Sequence, residues 1–267
     1  MKKVKVLVFS GYGLNCEEET KHAFELAGAE VDLIHINDLI TSPKQLKKYQ
    51  IMAFPGGFSY GDDTGSGNAF AQKVKNHLWK EIKEFVNDKK LVIGICNGFQ
   101  ILSNLGLLPA LSFEYGERQV ALLHNDSARY SDRWVDLKIE NDSPWLRGIN
   151  TFSTAVSHGE GKLFADKETL ELMKEKKLIA LKYFQGEICE YQQLEKNPNG
   201  AVEDIAGITD ESGRIFGLMP HPERGMFFTH LPNWPLLKEE YKRNGKKLPR
   251  FEAGLQIFKN AVDYFKG

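Results

Sequence analysis

Cysteine is scarce in this sequence: Cys16, Cys96 and Cys189 are the only three among 267 residues. An odd number at wide spacing gives no disulfide framework, and no Cys-x-x-Cys pair offers a zinc site, so a reducing compartment is expected. Long apolar runs are missing too, with nothing approaching the roughly 18 residues of a membrane-spanning helix. The opening MKKVKVLVF is interrupted by Lys5 and reads as a first strand, not a secretory leader. A cytoplasmic protein without a membrane partner is the expectation. Neither charge is in excess: 36 acidic against 35 basic side chains leave a net charge of −1, which argues against a nucleic-acid partner. There is no GxxxxGK(S/T) phosphate loop, and Gly11-Tyr12-Gly13 lacks the third glycine of a dinucleotide fingerprint, so no cofactor is expected in this chain. Internal repeats and low-complexity linkers are absent as well, which favours one domain over residues 1–267.

What is present is an alternation of strand and helix patterns. Val4 to Phe9 reads as a buried strand, followed by a turn at Gly11, Gly13 and Asn15 and a helix carrying Ala23, Phe24 and Ala27; Asn15 and Glu18 have capping-box spacing. Strands follow at 31–36 and 51–54, with a short helix after Ser42 and Pro43. Phe70, Val74, Leu78, Ile82 and Phe85 recur at helical spacing, and Leu91 to Ile95 is a strongly apolar strand leading into another helix. This order implies an α/β fold, an open, mostly parallel sheet with helices on both faces. The second half offers short strands near 120–123, 134–139, 152–156, 179–183 and 215–219, some of them antiparallel additions. Phe251, Leu255, Phe258, Val262 and Phe265 form one apolar helix face, preceded by a polar surface excursion at about 229–250.

Three constellations carry chemistry. Gly94-Ile95-Cys96-Asn97-Gly98 places a cysteine between an apolar strand and an apolar helix, with small residues two before and two after it. That is the spacing of a nucleophile elbow, and the helix N-terminus favours the thiolate. In Pro220-His221-Pro222-Glu223 the prolines extend the backbone, so that Glu223 can orient one nitrogen of His221 and leave the other for the cysteine proton. In Pro55-Gly56-Gly57-Phe58, after the third strand, the glycines let backbone N–H groups face a cleft, and one of them together with the Asn97 N–H would make an oxyanion hole. Ser59 to Asp63 lacks metal-loop spacing, so no metal is expected. Ser157 to Gly161 either contributes to ligand recognition or simply ends a strand.

Taken together, GICNGFQ, FPGGFSYGDD, SHGEG and MPHPER resemble class I glutamine amidotransferases, and within them the glutaminase part of phosphoribosylformylglycinamidine synthase. NCEEET near the start and residues 125–140 are similar to that enzyme as well. The resemblance implies a flavodoxin-like three-layer fold and hydrolysis of glutamine to glutamate through a thioester on Cys96, with His221 moving protons and Glu223 holding it. It implies Gly57 and Asn97 as oxyanion donors and Gly56, Gln100 and His158 as groups seating glutamine. It further implies a free-standing subunit in de novo purine biosynthesis, which passes ammonia to a synthetase subunit carrying ATP and magnesium and has a small accessory subunit as a second partner. GYGLN is longer than the family's usual turn, as is the excursion at 229–250. The competing reading is a stand-alone cysteine hydrolase of the same fold acting on a γ-glutamyl or peptide substrate.

Overall fold

A computed structural model describes residues 3–266; Met1, Lys2 and Gly267 of the expected domain lie outside the described residues. The chain runs β1 (Lys5–Ser10), α1 (Glu17–Leu26), β2 (Glu30–His35), α2 (Ile36–Thr41), β3 (Ile51–Phe54), α3 (Asn68–Asn87), β4 (Leu91–Ile95) and α4 (Asn97–Asn104). It continues through β5 (Ala121–Leu123), β6 (Ser131–Ile139), β7 (Thr151–His158), β8 (Lys162–Phe164), α5 (Lys167–Glu175), β9 (Ile179–Phe184) and α6 (Glu187–Gln192). β10 (Ile205–Thr209), β11 (Ile215–Leu218), α7 (Trp234–Arg243) and α8 (Ala253–Asp263) complete it.

Nine strands form one sheet in the order β2-β1-β3-β4-β11-β10-β9-β6-β7. The first five are parallel, and from β10 onward each strand runs antiparallel to its neighbour. β3 and β4 are buried at every residue, as strands covered on both faces must be. α1 packs against α8 through an edge-on Phe24–Phe258 contact, while α3 packs against α4. Phe70, Val74, Leu78, Ile82 and Phe85 all point into the core from α3. The chain reverses direction across the sheet between β1 and β3, and a crevice forms there at the carboxyl ends of the strands. The loops after β1, β3 and β4 converge at that end.

Several elements differ from the sequence reading. The capping box does not form: the cap position falls on Cys16, one residue past Asn15, and the Asn15 and Cys16 N–H groups both go to the Gly56 carbonyl. The second strand ends at His35, and Ile36 opens the short helix α2. β8 and β10 are additional strands. The polar excursion holds a helix, α7, with no buried residue, and a bridge between Phe227 and Phe251 closes it at its base.

Candidate active site

β4 ends in an abrupt turn at Cys96, whose backbone takes φ 52° and ψ −108°. A non-glycine residue there stores on the order of 1–3 kcal/mol of strain, which the surrounding packing must hold. That packing is visible. A Cβ on Gly98 would overlap the Phe54 carbonyl oxygen of β3, and one on Gly94 would lie 2.5 Å from the Gly98 carbonyl oxygen. Cys96 N–H donates to the Leu218 carbonyl at 2.8 Å, tying the elbow to β11. Cys96 is only 4% exposed, and its thiol lies 3.7 Å from the Ser157 carbonyl oxygen at the end of β7.

His221 and Glu223 come together as expected, although by a different local route. His221 has φ −104° and ψ 87°, short of a regular extended backbone, and residues 222–224 form a 3-10 turn that folds Glu223 back beneath the imidazole. Glu223 Oε1 lies 2.6 Å from His221 Nδ1, and both side chains are buried. The His221 backbone is anchored on β7: its N–H donates to the Ala155 carbonyl at 2.8 Å, and its carbonyl accepts from the Thr154 hydroxyl. Burial works to lower the imidazole pKa, but the Glu223 carboxylate overrides it, with Cys96 adding, and holds His221 well above 6.5. His221 Nε2 has no hydrogen-bond partner among the described residues, so it is the nitrogen left for the nucleophile's proton.

The loop after β3 closes the cleft. Gly56 must lack a side chain, because a Cβ would lie 2.7 Å from His221 Cε1. Gly57 sits at φ +151° and bridges to Leu14 in the long turn after β1, so the extra length of GYGLN serves as a buttress for this loop. The Gly57 N–H has no acceptor among the described residues, and the Asn97 N–H is one of the unpaired donors of the first turn of α4. A thiol at a strained elbow, a charged imidazole held by a buried carboxylate and two unpaired N–H groups are the parts needed for acyl transfer through a thioester.

Residues 3–265 match the family model of the CobB/CobQ-like glutamine amidotransferase domain. The chain belongs to that family. It is 55% identical to phosphoribosylformylglycinamidine synthase subunit PurQ of Methanococcus maripaludis, over 98% of this chain and 97% of the relative. It is 42% identical to the protein of that name from Dehalococcoides mccartyi, over 99% and 98%. Among solved structures, a chain of PurLQS from Thermotoga maritima superposes with a TM-score of 0.72 at 29% identity, covering 99% of this chain and all of that one. No helix among the described residues is long and apolar enough to cross a membrane.

The residues expected to seat the amidotransferase substrate have different surroundings. Gln100 is held at both ends: its Oε1 accepts from Asn97 Nδ2 at 2.8 Å, and its Nε2 donates to the Glu160 carbonyl at 2.6 Å. It thereby ties α4 to the turn after β7. His158, the last residue of β7, sits behind that turn. Its ring is buried, with Nδ1 on Asn125 Oδ1 at 3.2 Å and Nε2 facing Asn199 Nδ2 at 3.5 Å. Burial first, and then the charge on His221, push its pKa down to about 3, so it is a neutral group shaping the turn.

Cys16 and Arg224 were not anticipated here. Arg224 donates to the Cys16 sulfur at 3.1 Å, and that sulfur lies beside the imidazole of His221. Both residues sit in stretches that carry the family resemblance, but their meeting across 208 positions has no local signal. Cys16, His221 and Glu223 offer donor atoms within 4.8 Å of one another. A cation there would face the Arg224 guanidinium and displace the His221–Glu223 hydrogen bond, so the cluster fits an amidotransferase charge network better than a metal site. Because the guanidinium occupies the Cys16 sulfur and only Cys96 stands at the elbow, a glutamine-derived chloroketone should alkylate Cys96 alone. Peptide mapping that recovered the label on Cys16 would refute this assignment.

Proposed function

We propose that this chain is a single-domain glutaminase subunit of phosphoribosylformylglycinamidine synthase, working in the cytoplasm. The observation that carries the reading is the Cys96–His221–Glu223 constellation on a chain collinear with curated PurQ relatives. The Cys96 thiolate attacks the side-chain amide carbon of glutamine, and the N–H groups of Gly57 and Asn97 receive the charge that develops on oxygen. His221 gives its proton to the leaving nitrogen, so that ammonia departs and a glutamyl thioester remains. Neutral His221 then takes a proton from water, which attacks the thioester; collapse returns the thiolate and releases glutamate. Glu223 keeps the imidazole oriented throughout.

Ammonia passes to a synthetase subunit, where ATP and magnesium act, and a small accessory subunit completes the assembly. This chain needs no cofactor of its own and no nucleic-acid partner. The Ser157 carbonyl packs against the Cys96 thiol, so in this reading the end of β7 and the turn that follows it shift to admit glutamine. The free chain should therefore release glutamate slowly, and adding the synthetase and accessory subunits with ATP and formylglycinamide ribonucleotide should raise the rate by at least about tenfold. Equal turnover with and without the partners would favour the stand-alone hydrolase.

A further inference from the structure

Only one oxygen of the triad carboxylate is engaged. Glu223 Oε1 lies on His221, whereas Oε2 is buried without a hydrogen-bond partner among the described residues. Buried carboxylate oxygens normally find a donor. A strong one is close by. The guanidinium of the next residue, Arg224, lies within electrostatic reach of Glu223, and arginine–carboxylate pairs are commonly bidentate. Yet Arg224 directs its hydrogen bond to the Cys16 sulfur at 3.1 Å, which is a weak acceptor.

Cys16 separates the two charges. Its sulfur touches the guanidinium and stands within 4.8 Å of a Glu223 carboxylate oxygen. The residue is 1% exposed and fixed at three points: its N–H donates to the Gly56 carbonyl at 3.1 Å, its carbonyl accepts from the Thr20 hydroxyl at 2.8 Å, and its thiol donates to Asn15 Oδ1 at 3.6 Å. A guanidinium that closed on Oε2 would compete with His221 for the carboxylate and set a second positive charge beside the imidazolium. Held on sulfur, it offsets part of the carboxylate's charge from a distance and leaves the His221–Glu223 hydrogen bond intact. The other titratable groups around the turn at 222–224 are Glu19 on α1, Cys96 at the end of β4, His158 at the end of β7 and Glu252 just before α8. Of all these, Glu223 alone bonds the imidazole Nδ1.

Building on the glutaminase reading, we propose that Cys16 and Arg224 are positioning residues of the triad: Cys16 holds the guanidinium off Glu223, and the guanidinium at that distance moderates the carboxylate's hold on His221. The two residues then have opposite signatures. Cys16→Ala removes the spacer, so the guanidinium reaches Oε2 and the imidazole loses part of its carboxylate. Arg224→Met removes the cation, so the carboxylate acts on the imidazole undiminished.

The test is glutamate release from glutamine by the reconstituted synthase complex, measured across pH. Cys16→Ala should lower kcat by about 10- to 10²-fold with little change in KM, and move the alkaline limb of kcat/KM to lower pH. Arg224→Met should lose less activity and move that limb up by about half a pH unit or more. Cys16→Ser, whose hydroxyl also accepts from a guanidinium, should keep the parental limb. The double variant Cys16→Ala/Arg224→Met separates positioning from mere packing, because without the guanidinium the spacer has nothing to hold; its kcat should recover to that of Arg224→Met alone. Losses that multiply in the double variant, or an Arg224→Met limb that stays or moves down, would overturn the proposal, and the second readout decides even where Cys16→Ala does not fold. No glutamate release from glutamine by the unsubstituted complex would overturn the glutaminase reading as well.

Discussion

Replacing His221 by alanine should lower glutamine turnover in the assembled synthase by roughly 10⁴-fold or more, because both proton transfers pass through its Nε2. Glu223→Ala should be less severe by about one to two orders of magnitude, since the carboxylate orients and charges the imidazole but transfers no proton itself. The pH profile separates the two roles. Glu223 is what lifts the imidazole pKa against burial, and the thiolate–imidazolium pair persists only below that pKa. Glu223→Gln should therefore move the alkaline limb of kcat/KM to lower pH. Steady-state glutamate release across pH decides it: an unmoved alkaline limb, or a Glu223→Ala enzyme less active than His221→Ala, would show that the carboxylate does something else.

Gly98→Ala is expected to cost roughly 2–4 kcal/mol of stability and most of the activity. The added Cβ has no room against the Phe54 carbonyl, which is backbone in a fully buried strand and cannot swing aside. Either α4 lifts away from β3 or the protein pays by partial unfolding, and the first route carries Cys96 and Asn97 out of register. Gly159→Ala is the matched control, because its Cβ would meet nothing closer than Tyr130 at 3.9 Å. Thermal melts of the two variants against the parent check the difference. A Gly98→Ala melt within about 2 °C of the parent would contradict the packing described for the elbow.

The parts legible in the sequence are those whose physics is local. Gly94, Cys96 and Gly98 declare the elbow because a strand-to-helix reversal tolerates only small neighbours, and α3 declares its buried face through helical spacing. His221 and Glu223 are two residues apart, so their pairing survived even though the backbone between them is a 3-10 turn instead of a strand. Contacts set by topology were hidden. Cys16 reaches His221 only because β1 lies beside β3, and Asn15 does not cap α1 because the chain, pinned to the Gly56 carbonyl, enters the helix one residue later, at Cys16. β10 is buried throughout, but it is short and interrupted by Gly207, which masks its apolar run. α7 buries no residue fully; its half-buried stripe of Trp234, Leu237 and Tyr241 is diluted by Lys and Glu and gives only a weak periodic signature.

The two hydrogen bonds that Asn15 and Cys16 donate to the Gly56 carbonyl, each 3.1 Å long, have a mechanical consequence. In a trans peptide the carbonyl and the following N–H point in opposite directions, so anchoring the carbonyl to the start of α1 turns the Gly57 N–H away from that helix. Rotating this one peptide plane would break both bonds at once. In the proposed role of oxyanion donor, that N–H is prealigned by the fold, and little reorganisation is left for the moment of bond making. The turn after β7, the segment proposed to shift, belongs to another element and is held to α4 by Gln100. In that reading access and catalysis are borne by separate segments of chain, and a partner that opened one would not disturb the other.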